Sequence, residues 1–137
     1  AAQIVLRCGR PIVMMSLDVT HQVLTTRKRV DAIRNLDSTV GEPIASLIEF
    51  YERYDEEKYH LDGAPLHDPC TIAYLIKPDL FSLKEVNVEV ETGGKFTRGA
   101  TVVDYWDVTG RLPNVQWAHT VDANGFFELL NNYLSKI

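Results

Sequence analysis

The stretch "GAPLHDPCTIAYL", residues 63–75, decides how this chain is interpreted, because two adjacent ionisable residues stand directly before an apolar run. Aspartate is a favoured N-cap and proline suits the first turn of a helix, so the sequence predicts a helix that begins at Asp68 and Pro69 and stops before Pro78. We expect Pro69 to hold Asp68 in the extended geometry of an N-cap. His67 and Asp68 then either cap a helix and do nothing more, or are aimed by that helix at a ligand.

The segment before this helix predicts one buried strand and two further helices. "PIVMMSLDV", residues 11–19, is a nearly continuous apolar run with β-branched members, typical of a buried parallel strand that needs neighbours on both sides. Helical spacing of apolar residues then indicates a helix over 26–36 with Thr26 at its cap, and a second helix that opens at 41–43 with a proline in its first turn. The charged stretch 55–65 is predicted to be a loop.

The second half of the chain predicts strands followed by a closing helix. "KEVNVEVET" alternates apolar and polar residues, and the glycine pair 93–94 signals a turn into a hairpin partner, "GATVVDYW". "VQWAHTV", residues 115–121, alternates again, with its odd-numbered residues on one face. "ANGFFELLNNYLSKI" has the pattern of an amphipathic helix. The order indicates an α/β fold: an open mixed sheet flanked by helices, with one parallel strand and a late antiparallel meander.

Composition excludes some partners. The formal net charge is -5, with 14 Lys and Arg against 19 Asp and Glu in 137 residues, so we expect no nucleic-acid partner. The basic cluster 27–29 is followed by acidic residues, which indicates a solvated helix face. No apolar run approaches the roughly 18 residues of a membrane span, so we expect no membrane partner. Two cysteines make neither a disulfide framework nor a zinc ligand set, which favours reduced thiols in a cytoplasmic protein.

The four histidines differ in their promise as site residues. His119 lies among Val and Trp on a predicted strand and is interpreted as a structural histidine, while His60 lies in a charged stretch and should be exposed. His21 follows the predicted parallel strand, and open α/β sheets bind ligands at the carboxyl ends of their strands. His67 is the best candidate, because it precedes a helix start whose backbone N–H groups point outward.

Asp68 has two candidate roles that can coexist. As an N-cap, its carboxylate accepts a backbone hydrogen bond, and as a metal ligand it offers oxygen to a hard cation such as Ca²⁺. The spacing alone favours capping only. A zinc site is not indicated, since the spacing of His60 and His67 fits no common pattern and Cys70 alone is insufficient.

Three stretches together resemble one protein family, the inosine–uridine-preferring nucleoside hydrolases. "GAPLHDPCTIAYLIKPDLF" is similar to the family's C-terminal signature, "GRPIVMMSLDVTHQVLTT" to the strand and loop before it, and "VNVEVETGGKFTRGATVVD" to its late hairpin. The resemblance runs over the whole chain. It implies an N-ribohydrolase, an enzyme that splits the N-glycosidic bond of a ribonucleoside with water to give ribose and a free base.

The resemblance also implies roles for particular residues. His67 would lie near the leaving base as its general acid, and Asp68 would bind Ca²⁺ and contact ribose hydroxyls. Tyr59, eight residues before His67, would lie near the base pocket, with Tyr54 as a weaker candidate. His21 remains a candidate for lining the substrate site. Family members are commonly dimers or tetramers, so a homo-oligomer is expected.

The chain departs from the family pattern in one respect. The N-terminal aspartate cluster that supplies the catalytic base and most calcium ligands does not occur in these residues, and neither does the Glu/Asn segment that grips ribose. We therefore expect residues 1–137 to be the C-terminal part of a single hydrolase domain, completed by a missing N-terminal part and inactive alone. The alternative is a non-enzymatic remnant of the same fold. An unrelated α/β hydrolase lacks support, since no Gly-x-Ser-x-Gly motif is present.

Overall fold

The chain folds into six α-helices, one short 3-10 helix (Pro78–Leu80) and four strands over the residues that the structure describes. This structure, a computed structural model, describes residues 1–59 and 62–137, and the side chains of all of these except 54–59. The helices are α1 (Ala2–Leu6), α2 (Leu17–Thr20), α3 (Arg27–Arg34), α4 (Gly41–Tyr59), α5 (Pro69–Ile76) and α6 (Ala123–Leu134). The strands are β1 (Val13–Met15), β2 (Phe81–Val90), β3 (Thr101–Asp104) and β4 (Val115–Val121).

The strands form one mixed sheet in the order β1-β4-β2-β3. β1 is parallel to β4, whereas β2 is antiparallel to both β4 and β3. The predicted open mixed sheet with a late hairpin is confirmed, but the predicted meander is wrong because β4 pairs with β2 and not with β3. The connection after β3 runs back over β2, where Lys84 donates to the carbonyl of Tyr105 and Asn87 donates to the carbonyl of Leu112.

The predicted strand over 11–19 is much shorter than expected. Only Val13–Met15 pair, and the chain turns into α2 at once because the Ser16 carbonyl accepts hydrogen bonds from the amides of Val19 and Thr20. β1 has one strand neighbour among the described residues, β4, and Val13 is exposed, so the second neighbour that the sequence led us to expect is not among them. Residues 17–19, predicted as strand, therefore lie with Thr20 on the helical turn α2, with the sequence "LDVT".

The sheet separates two hydrophobic clusters. One joins Phe81 and Ala118 to α3, α5 and α6, and the other joins Val86, Val88 and Trp117 to Leu6 of α1. A register shift in β4 explains how one strand serves both, since Ala118 opposes Leu83 and Thr120 opposes Ser82, which leaves His119 without an opposite residue. The prediction that the odd-numbered residues of 115–121 share one face is therefore wrong, because Val121 packs with the first cluster and Trp117 with the second.

Ion pairs join helices α3 and α4. Arg34 pairs with Asp31, Glu42 and Glu49, and the pKa of its guanidinium is raised, mainly by its hydrogen bond to Glu49. The predicted solvated basic face over 27–29 is wrong for Arg29, which donates to the carbonyl of Leu24 and lies over an aromatic ring of α6. The stretch 55–59, predicted as loop, continues α4.

Helices long and apolar enough to cross a bilayer do not occur in the described part of the chain.

Candidate active site at the start of α5

Backbone hydrogen bonds join the end of α2 to the segment before α5. Leu24 and Pro65 form an isolated antiparallel bridge. The amide of Thr25 donates to the carbonyl of Ala64 at 2.9 Å, and the amide of Leu66 donates to the carbonyl of Val23 at 3.0 Å. The two stretches that sequence analysis singled out separately, 17–26 and 63–70, are thus held side by side in space.

A glycine is required where these two segments approach each other. Gly63 has φ +104°, a conformation that L side chains rarely adopt. A Cβ atom at this position would lie 2.5 Å from the carbonyl oxygen of Thr25 and 2.9 Å from the amide nitrogen of Thr26, both of which are backbone atoms. Close approach of the two segments therefore depends on the missing side chain.

This arrangement brings His21 and His67 together. Their ring centroids are 5.6 Å apart, with the ring planes tilted by 51°. His21 is exposed and caps the C-terminal end of α2, just after β1, while His67 is partly buried directly before α5. Two residues separated by 46 positions in sequence thus form one histidine pair between the end of α2 and the start of α5.

Asp68 does not cap α5. Its backbone is in the right-handed helical region, at φ -61° and ψ -39°, and its side chain makes no capping hydrogen bond. The first turn already begins at His67, whose carbonyl accepts from the amide of Cys70, so Asp68 lies inside the turn and not before it. The predicted extended N-cap is therefore wrong, and so is the interpretation of Asp68 as a capping residue only.

Cys70 is a packing residue and not a nucleophile. Its side chain is fully buried and its thiol donates to the carbonyl of Leu66 at 3.1 Å. Burial raises the pKa of the Cys70 thiol to about 11, which keeps it protonated at neutral pH. The thiol therefore helps to fix the turn that presents His67.

Thr20 is the site residue that sequence analysis missed. Its hydroxyl lies 2.8 Å from Nδ1 of His67, and the residue is 2% exposed. A signal was present, since Thr20 directly precedes His21 in "LDVTH", but the expectation of a strand over 11–19 concealed its place on a helical turn.

The other predicted residues are less defined by the geometry. Tyr54 and Tyr59 belong to α4, but their side chains lie outside the described residues, as does the whole of His60. His119 is partly buried, with its ring 6.2 Å from that of Tyr105, in agreement with a structural role.

The described residues do not hold a calcium ion by themselves. Among them, no three His, Cys, Asp or Glu side chains are grouped so that they could share a metal ion. Calcium takes about six to eight oxygen ligands, and Asp68 supplies one carboxylate. The uncapped Asp68 is suited to be one ligand of a set, and the rest of that set is not found in the described part of this chain.

A groove of about 590 Å³ between α5 and α6 has Asp68 at one end. Its other walls are largely apolar, and include Ile72, Phe126, Leu129 and Tyr133. A sugar with several hydroxyls needs polar partners, so this groove does not suit one. The chemistry-bearing groups lie instead on the His21 and His67 side of the helix start, and we place the candidate site there.

Comparison with known proteins gives the class of this fold. The chain superposes on the purine-preferring ribonucleoside hydrolase from Gardnerella vaginalis with a TM-score of 0.83 and 33% identity, covering 98% of this chain and 43% of that one. It superposes on the plant nucleoside hydrolase PpNRh1 with a TM-score of 0.85 and 29% identity, covering 99% and 45%. The fold is thus that of part of a nucleoside hydrolase.

The family follows from sequence. Residues 1–128 match the family described as inosine-uridine preferring nucleoside hydrolase. The pyrimidine-specific ribonucleoside hydrolase RihA of Enterobacter sp. (strain 638) is 45% identical over 137 residues, which are 99% of this chain and 44% of that protein. The chain belongs to the inosine-uridine preferring nucleoside hydrolase family, and it spans about 44% of the length of the curated relatives it matches.

Proposed function

We propose that the protein carrying this chain is a ribonucleoside hydrolase that uses water to split the N-glycosidic bond, giving ribose and a free base. The observation that carries the proposal is the contact between His21 and His67, with Asp68 next to His67 in sequence and making no capping hydrogen bond. Relatives of this chain are named as pyrimidine-specific and as purine-preferring ribonucleoside hydrolases, so the proposed substrate class is the ribonucleoside and both kinds of base belong in the test.

His67 is proposed as the general acid for the leaving base. In this reaction the C1′–N bond breaks with its electron pair going to the base, the base takes a proton from the imidazolium, and water adds to C1′ and releases a proton. A base leaves more easily when it is protonated, and histidine is the side chain most often used for such transfers near neutral pH. The sugar becomes oxocarbenium-like, as in other glycoside hydrolysis, so protonation of the leaving group is where His67 can contribute most.

Asp68 is proposed to contact ribose hydroxyls and to contribute one carboxylate to a Ca²⁺ site. Its exposed position in the first turn of α5 and its uncapped side chain support both roles. Bound calcium would supply positive charge that orients water and sugar oxygens. The remaining ligands would come from outside the described residues, and no step here depends on their geometry.

His21, Tyr59 and Tyr54 are proposed to line the substrate site. His21 is supported by its ring contact with His67 and by its exposure, which leaves a face free for a ligand. Tyr59 and Tyr54 lie near the end of α4, the helix that leads into the segment before His67, and an aromatic ring there could stack on a base.

The role of His67 is tested by His67→Gln in the full polypeptide that carries this chain, assayed with uridine, cytidine and inosine. Loss of a general acid should lower kcat by about 10²–10⁴-fold with little change in KM. His119→Gln is the control, since His119 is also partly buried and its ring contacts that of Tyr105, while the ring of His67 contacts that of His21. Equal activity of His67→Gln and His119→Gln would remove His67 from the mechanism.

The role of Asp68 is tested by Asp68→Asn with calcium binding as the readout. The substitution keeps the shape but removes the charge, so calcium affinity should fall and activity should fall with it. Asp79→Asn, an exposed aspartate just beyond α5, controls for lost surface charge. Unchanged calcium affinity in Asp68→Asn would show that this carboxylate is not a ligand.

Three further expectations become proposals here. We propose that residues 1–137 are the C-terminal part of one hydrolase domain, and that the isolated 137-residue polypeptide is inactive because one carboxylate is too few for calcium. A homo-oligomer, dimer or tetramer, is supported by exposed apolar residues such as Trp106 and Leu112 and is tested by light scattering. A cytoplasmic location is supported by two free cysteines, Cys8 and Cys70. Nucleosidase activity of the isolated polypeptide would contradict the first proposal.

A further inference from the structure

The hydroxyl of Thr20 occupies one ring nitrogen of His67. Thr20 Oγ1 lies 2.8 Å from Nδ1, and Thr20 is 2% exposed. The backbone of Thr20 is already committed, because its amide donates to Ser16 and its carbonyl accepts from Val23. The backbone position of Thr20 is therefore fixed, and only rotation about χ1 would carry the hydroxyl away from Nδ1.

A hydroxyl can serve both charge states of an imidazole. It donates to Nδ1 when the ring is neutral, and after rotation it accepts from Nδ1–H when the ring is an imidazolium. In the neutral ring the buried hydroxyl needs an acceptor, and its hydrogen-bond partner among the described residues is Nδ1, so the ring proton belongs on Nε2. Nε2 then carries hydrogen in both states, and the ring keeps one orientation.

We propose that Thr20 is a positioning residue which holds Nδ1 of His67. In the imidazolium, Nε2 then gives its proton to the leaving base, while Nδ1 keeps its own proton and donates it to the Thr20 hydroxyl. This inference rests on the proposed hydrolase function. A valine in place of Thr20 would keep the shape and remove both the donor and the acceptor. The imidazole could then rotate or change tautomer, and a smaller fraction of the molecules would present Nε2–H to the base.

The test compares Thr20→Val and Thr20→Ser in the full polypeptide that carries this chain, with His67→Gln as reference. Two substrates are used: uridine, whose base needs protonation, and an aryl riboside such as p-nitrophenyl ribofuranoside, whose leaving group does not. We expect Thr20→Val to lower kcat for uridine by about 10- to 100-fold without raising KM, to spare the aryl riboside, and to add nothing in a His67→Gln background. Thr20→Ser should retain most of the activity.

A second readout does not depend on activity. In protein labelled with ¹⁵N-histidine, the neutral His67 ring of the parent should show hydrogen on Nε2, and Thr20→Val should show a mixture of tautomers. Resonances of His67 are identified by their loss in His67→Gln. If the parent protein lacks nucleosidase activity, the proposed function fails and the tautomer measurement alone decides whether Thr20 fixes the ring.

Three results would overturn the inference. One is equal loss on both substrates in Thr20→Val, which would indicate a general structural defect. Another is an equal loss in Thr20→Ser, which would show that the hydroxyl is not what matters. The third is parent-like activity and an unchanged tautomer in Thr20→Val.

Discussion

Replacement of Gly63 by alanine should be among the most damaging small substitutions in this chain. The added Cβ would meet backbone atoms of Thr25 at 2.5 and 2.6 Å, and backbone atoms cannot turn aside as a side chain can. The positive φ costs about 1–2 kcal/mol for a residue with a side chain. Relief of the clash would separate Ala64 from Thr25, which donates to its carbonyl through both the amide and the hydroxyl, at about 1 kcal/mol for each hydrogen bond. The sum is about 3–4 kcal/mol.

Gly99→Ala separates the steric part from the conformational part. Gly99 has φ +95°, close to that of Gly63, but a Cβ there would meet nothing within 4 Å. We therefore expect Gly99→Ala to cost only the conformational part, about 1–2 kcal/mol. The difference between the two variants, about 2 kcal/mol, measures the contact between the two segments.

The assay is urea denaturation of both variants and the parent, followed by circular dichroism, with nucleosidase kinetics on the same samples. Gly63→Ala should also lower kcat, because His67 follows the displaced segment, whereas Gly99→Ala should leave kcat unchanged. If the two variants lose equal free energy of unfolding to within about 0.5 kcal/mol, the segments are not in the close contact described and the reasoning fails.

The remaining predictions concern single interactions. Iodoacetamide at neutral pH should label exposed Cys8 but not Cys70 in the folded protein. The pKa of the Cys70 thiol is raised from 9.0 to about 11, so the unfolded chain loses this proton first, and the free energy of unfolding should fall as pH rises between these values. Hydrogen bonds from Gln3 and Arg7 lower the pKa of Glu89, so this carboxylate stabilises the fold above the usual glutamate pKa, and the effect is lost as pH falls through the lowered value. Glu89→Gln should therefore lower the free energy of unfolding near neutral pH but not at about pH 3, as measured by denaturation at both pH values. Asp122→Ala, which removes the side chain that caps α6, should cost about 1 kcal/mol in urea denaturation, and Asp122→Asn should cost less.

Local patterns predicted most of the regular elements. The alternation in 84–92 and 115–121 and the apolar spacing in 123–137 are strong periodic signals, and β2, β4 and α6 lie where they predict. The strand over 11–19 misled because a short apolar run does not distinguish a strand from a strand followed by a helical turn. The shift at His119 was equally hidden, since a bulge depends on the partner strand and leaves no mark in the period of its own strand.

The candidate site was predicted in its residues but not in its geometry. His67, Asp68 and His21 could be singled out from chemistry and position, yet nothing local said that His21 and His67 would lie in contact. That contact depends on backbone pairing between segments about 40 residues apart. The capping role of Asp68 was mispredicted because a helix start is fixed by which carbonyl closes the first turn, and here the carbonyl of His67 does so.

The bridge between Leu24 and Pro65 holds together the two ends of the segment that contains α3 and α4. The segment that contains α3 and α4 therefore begins at Leu24 and ends at Pro65, two residues that lie side by side. Helix α3 is fixed in the core by Val30 and Ile33, whereas Leu47 and Phe50 of α4 are exposed, so we expect substitutions at these two positions to leave the spacing of the two imidazoles unchanged. Under the proposed function, exchanging α4 between homologues would test whether Tyr54 and Tyr59 set the base preference while the two imidazoles keep their spacing.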